Sequence, residues 1–102
     1  MAERQGWFAR WRERRRARTR NRIFEAYMRV VDADNRGLKT RALFEMPGVV
    51  TVNVDRGFTT YVDVTMADGF TINKHGGCPG ALNAAAAAVC DRLREREEAT
   101  HG

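Results

Sequence analysis

The chain of 102 residues contains no serine, only two prolines, two cysteines and two lysines, and no long apolar run. Each scarcity excludes something. A transmembrane helix needs about 18 or more consecutive apolar residues, and no stretch approaches that. No hydrophobic signal-peptide core follows the charged start, and a mitochondrial leader would be serine-rich and poor in acids, whereas Glu3 and Glu13 interrupt this one. Cys78 and Cys90 stand twelve residues apart around a predicted helix start and its middle. A helix of that length separates them by about 18 Å, well beyond disulfide reach. Free thiols in a reducing compartment, the cytoplasm, are therefore expected.

What is present is arginine, and it is concentrated. Residues 1–31 hold ten arginines against Glu3, Glu13 and Glu25, a net +7; residues 32–102 hold eight basic and ten acidic side chains, a net −2. A field confined to one end of a near-neutral body steers polyanions to that end. Guanidinium also suits bidentate phosphate contact and stacking on bases better than ammonium does. A GC-rich coding sequence accounts for part of the preference for arginine over lysine.

From residue 3 to residue 33 there is no proline and no glycine except Gly6. Ile23, Tyr27 and Val30, with Phe24, Met28 and Val31, recur at helical spacing and predict a helix with one broad buried face. Trp7, Phe8 and Trp11 form a second apolar patch upstream. The helix is either continuous or restarts at Thr19 or Asn21, either of which can cap a new N-terminus. Asp32 to Gly37 reads as a stop, because Asn and Gly supply left-handed conformations. Leu38 to Met46 fits a short strand or a helical turn equally, and Pro47-Gly48 makes a turn.

Three strands are predicted by alternation. Val50, Val52 and Val54; Val62, Val64 and Met66; and Phe70 and Ile72 each alternate with polar neighbours. Asp55-Arg56-Gly57 and Asp68-Gly69 carry hairpin chemistry, so the strands form an antiparallel meander. A last helix starts at Cys78-Pro79, runs to about Glu98, and presents Leu82, Ala86, Val89 and Leu93 as a stripe flanked by Ala85 and Cys90. The expectation is an α+β domain of order α-β-β-β-α, its three-stranded meander covered on one face by two helices. Residues 1–22 form a basic arm, 23–98 the domain, and 99–102 a disordered tail.

The strongest functional signal is Trp11 to Arg22, WRERRRARTRNR. It resembles the arginine-rich motifs of phage antitermination N proteins and lentiviral Rev proteins, over about a dozen residues. The resemblance implies recognition of an RNA hairpin or bulge by Arg12, Arg14, Arg15, Arg16, Arg18, Arg20 and Arg22, with Trp11 stacking; Arg10 extends the charged set. RNA is expected ahead of DNA. The α-β-β-β-α order also resembles the double-stranded RNA-binding domain, although that family's lysine-rich start of the last helix is missing and only Lys74 stands there.

Other readings compete. An arginine-rich helix edged by Trp7, Phe8 and Trp11 is also the pattern of an interfacial membrane helix, but its tryptophans cluster at one end, and a bilayer is the disfavoured partner. A protein-interaction module, an inhibitor or adaptor docking on a host protein through the Ala-rich helix or the tryptophan patch, is the rival class. Lys74, His75, Gly76 and Gly77 precede a helix start and are candidates for an anion-binding loop. Ala84, Ala85 and Ala88 form a small-residue face suited to self-association as a homodimer. His75, Cys78, Cys90 and His101 are too scattered for a zinc site, no nucleophile has an evident partner, and neither enzyme activity nor a cofactor is expected. Size and composition suit a small phage-encoded accessory protein.

Overall fold

A computed structural model describes residues 2–101, with side chains described for residues 9–99. Six elements follow in order: α1 (Ala2–Asp32), α2 (Arg36–Phe44), β1 (Val49–Arg56), β2 (Thr60–Met66), β3 (Thr71–Gly76) and α3 (Cys78–His101). The protein is α+β, with the expected meander: β1-β2-β3 pair antiparallel in that order. The ambiguous stretch after residue 36 is the helix α2, so three helices are present and there is no fourth strand among the described residues.

The register sorts the strand side chains. Val62, Val64 and Met66 of β2 and Ile72 of β3 are buried, and half-buried Val52 and Val54 of β1 join them on the same face. Val50 falls out of this alternation because the β1 register shifts between Val49 and Thr51, leaving its side chain exposed. Against that face lies α3, with Leu82, Ala86 and Val89 of the predicted stripe and its flanking Ala85 and Cys90 buried, Leu93 half-buried, and Ala81 buried in addition. Burying a side chain such as Leu82 or Val89 is worth about 1.5–3 kcal/mol, and the small residues between them let helix and sheet approach closely. The β2–β3 hairpin closes on Gly69, whose φ of 89° is the left-handed conformation that glycine supplies.

Both α2 and α3 pack against the sheet, while α1 packs on those two helices. Its buried contribution is narrow: Ile23, Ala26 and Val30 are in the core, whereas Phe24 is exposed and Tyr27, Met28 and Val31 are half-buried. The two expected apolar sets thus split into an inward stripe and a largely outward one.

The turn after α1 corrects a second expectation. Neither Asn35 nor Gly37 takes a left-handed conformation. Asn35 instead caps the start of α2, its side-chain Oδ1 accepting the Leu38 N–H at 2.9 Å. The carbonyls that end α1 are met by Lys39, which is only 7% exposed. Its Nζ donates to Val30 O at 2.9 Å, Val31 O at 2.8 Å and Asn83 Oδ1 at 3.1 Å. One ammonium therefore neutralises the negative end of α1 and fastens three helices together.

That tie places the end of α1 beside Asn83, early in α3, while Ala17, Asn21 and Phe24 share a groove with Cys90 and Arg94 further along it. The two helices are antiparallel. A helix of 31 residues is about 46 Å long, which explains extents of 63 × 27 × 17 Å and a radius of gyration of 16.4 Å, against about 13 Å for a compact domain of 100 residues. With Val30 and Val31 level with Asn83, the same alignment sets His101 level with about Arg12, so only the first turns of α1 run beyond the end of α3.

Candidate nucleic-acid interface

The arginine-rich segment is part of one unbroken helix; neither Thr19 nor Asn21 starts a new one. Thr19 directs its hydroxyl back to Arg15 O at 3.0 Å, the bond of a helix interior and not of a cap. The boundary expected at residues 22 and 23 is accordingly a change of surroundings along a continuous rod. At the other end of the chain α3 continues through His101, so residues 99–101 extend that helix in place of the expected disordered tail.

Arg10, Arg12, Arg14, Arg15, Arg18, Arg20 and Arg22 are all exposed. None of the seven pairs with a carboxylate among the described residues. Arg10, Arg14, Arg18 and Arg22 recur every fourth residue, one guanidinium per about 6 Å of helix. Arg10 and Arg14 leave the helix roughly opposite the buried Ile23 and Val30, and the row turns by about 40° per step, so that Arg22 reaches the flank beside the buried Ala26. Trp11 stands 45% exposed beside the row, with the Arg15 guanidinium 4.8 Å from its ring centroid. The pair offers a flat apolar ring and a planar cation side by side, the two kinds of surface on which bases stack. Trp7 and Phe8 lie outside the described side chains.

Arg16 departs from its expected role. It is half-buried, and its Nε is shielded from solvent, as are both carboxylate oxygens of Glu97 on α3. Projecting the antiparallel alignment along both helices brings these residues to the same level, so Arg16 belongs to the α1–α3 seam and leaves the exposed set.

The remaining candidate sites are dispersed. Lys74, His75 and Gly76 lie at the end of β3, where successive side chains point to opposite faces. His75 stacks on Tyr61 across the sheet, ring centroids 5.9 Å apart, while Lys74 lines a groove with Asp91 and Glu95 of α3. Lys74 and His75 thus point to different surroundings, while Gly76 and Gly77 lead into the start of α3. Of the small residues assigned to self-association, Ala85 is 0% exposed, in the chain's own core, and Ala84 and Ala88 are half-buried; the same smallness that suited a partner helix is used against the sheet. Cys78 is half-buried and Cys90 buried, and both are free thiols. Burial pushes the Cys90 thiol above its ordinary value. Among the described residues no group of three or more His, Cys, Asp or Glu is placed to hold a metal ion. No helix is long and apolar enough to cross a membrane.

Two features were invisible to sequence reasoning. Phe58, at the tip of the β1–β2 hairpin, is wholly exposed, although a phenylalanine in a turn carries no pattern that predicts it. Asp68 gathers Arg92, with Nη2 at 2.9 Å, and Arg96, at 3.6 Å, while accepting the Phe70 N–H at 3.0 Å. The Phe70 N–H and the two guanidiniums hold its carboxyl below the usual carboxylate range. Arg92 also lies over the Phe70 ring at 4.5 Å, and the cluster fastens the β2–β3 hairpin to α3.

No protein family, curated protein or solved structure matches the chain. Relatives therefore neither support nor oppose the arginine-rich resemblance, and function rests on the chain's own geometry.

Proposed function

We propose that the protein is a small nucleic-acid-binding accessory protein that grips phosphates with the exposed arginines of α1, its preferred ligand being structured RNA over DNA. The observation that carries this reading is the set of seven exposed arginines on one helix that have no ionic partner among the described residues. Such a concentration of like charge costs repulsion in the free protein, and a polyanion relieves it. The row at positions 10, 14, 18 and 22 tracks a backbone from one side, and Arg12, Arg15 and Arg20 extend contact around the helix. Trp11 with Arg15 supports RNA in particular, since RNA presents unstacked bases in loops and bulges. A bilayer gains little here, because Trp7, Phe8 and Trp11 cluster at one end of the segment and Arg12 to Arg22 carries no large apolar side chain.

The test is fluorescence anisotropy with a labelled RNA hairpin and a DNA duplex of equal length. Replacing Arg10, Arg14, Arg18 and Arg22 together by Gln keeps good helix formers and should weaken binding to both steeply, the RNA being the tighter ligand of the unaltered protein. Retention of full affinity by that variant would overturn the reading.

One observation favours a second reading, a protein-interaction module. A wholly exposed phenylalanine on a hairpin tip is a natural anchor for a pocket on a partner. Such an interaction predicts loss on Phe58→Ser and indifference to salt, the opposite of the response expected of the arginine row.

A further inference from the structure

The groove between α1 and α3 shares only Arg20 with the exposed arginines and adds side chains that the row at positions 10, 14, 18 and 22 does not include. Ala17, Arg20, Asn21 and Phe24 of α1 and Cys90 and Arg94 of α3 line about 330 Å³. Arg20 and Arg94 belong to opposite walls, and neither pairs with a carboxylate among the described residues. Two guanidiniums lining one groove favour an anion between them, while Asp91, Glu95 and Glu98 line a neighbouring groove with Arg94. Phe24, 58% exposed, lines the same groove beside Tyr27, at 6.4 Å between centroids and tilted by 48°, and offers an aromatic ring to a planar group. Asn21 adds an amide that both donates and accepts. The volume is at the small end of the roughly 300–1,000 Å³ usual for ligand sites, enough for one unit of a polymer and too little for a duplex.

We infer that this groove receives a single unpaired nucleotide of the RNA whose backbone the arginine row holds: the base stacks on Phe24, Asn21 reads its edge, and Arg20 and Arg94 clamp the adjoining phosphates. The inference rests on the phosphate-gripping role of α1 and adds to it a reason for choosing bulged or looped RNA over a perfect stem. An anion alone would explain the two arginines, and a planar apolar group alone would explain Phe24; a nucleotide satisfies both in one ligand.

The experiment uses the full chain and two RNA hairpins with the same stem, one carrying a single bulged 2-aminopurine and one fully paired. Anisotropy should show the bulged hairpin binding about tenfold more tightly, the scale of one base stacked on an aromatic ring. Phe24→Ala and Arg94→Gln, both at exposed side chains, should each abolish that advantage and leave affinity for the paired hairpin within about twofold, the response of a contact confined to one site. The fluorescence of 2-aminopurine should change on binding the unaltered protein and not on binding Phe24→Ala. If both hairpins bind equally and the fluorescence responds alike in protein and variant, the groove is not a nucleotide site, although the arginine row stands. If neither hairpin binds, both readings fall.

Discussion

Replacing Lys39 by Met exposes how α1 is held. Methionine fills most of the same volume, so the cavity cost is small and the change isolates the ammonium. Lost are its bonds to Val30 O, Val31 O and Asn83 Oδ1, and two carbonyls at the end of α1, one buried and one part-buried, are left without their donor. A hydrogen bond to a charged group contributes about 1.5–3 kcal/mol. The three share one donor whose own desolvation is recovered on substitution, so the contributions do not add, and the net loss is about 3 kcal/mol. At about 4–8 °C per kcal/mol for a domain of this size, the midpoint of thermal unfolding falls by about 12–24 °C. Circular dichroism at 222 nm, with urea titration in parallel, measures it. Lys74→Met, at an exposed lysine, is the control and should stay within about 0.5 kcal/mol. A Lys39→Met protein as stable as that control would refute the role given to Lys39.

The other predictions are simpler. Asp68→Asn removes a carboxylate whose proton affinity is lowered by the Phe70 N–H and by Arg92 and Arg96. Because the folded value lies below the ordinary 3.8, the stabilisation is complete above the unfolded value and disappears as pH falls through the folded one. Wild type and variant should therefore differ most near neutrality and converge in strong acid, as read by urea midpoints across pH. Cys78 should react with a maleimide well before Cys90, whose thiol is buried and raised; equal rates by mass spectrometry would contradict the packing of α1 on α3. Leu82→Ala, at a side chain with no exposure, should cost about 2–5 kcal/mol in denaturant unfolding, and a loss below 1 kcal/mol would place Leu82 outside the core.

The strands were legible because each has one dry face and one wet face: Val62, Val64 and Met66 alternate with Tyr61, Asp63 and Thr65 as the pairing requires. The Asp68-Gly69 turn and the start of α3 at Cys78 were equally plain. The α2 segment was not, because its periodicity is blurred: Leu43 and Met46 are buried while Leu38 and Phe44 are exposed, and a short helix offers too few turns to average that out. A buried lysine runs against composition rules, so nothing local announced Lys39 as the substitute for the C-cap that Asn35 and Gly37 were expected to provide. The arginine cluster was visible, but the division of labour within it was not. Arg16 enters the seam and Arg20 a groove only because α3, some seventy residues later, lies alongside. The same distance in sequence hid the convergence of Arg20, Phe24 and Arg94.

The most direct test of the charged row is the dependence of RNA-hairpin affinity on salt. Each phosphate neutralised contributes about 0.7–0.9 to the slope of log affinity against log salt. Four to seven engaged arginines therefore predict a slope between about −3 and −6, and replacing Arg10, Arg14, Arg18 and Arg22 by Gln should lower its magnitude by about 3. A slope near zero, or one that the four substitutions leave unchanged, would contradict the account.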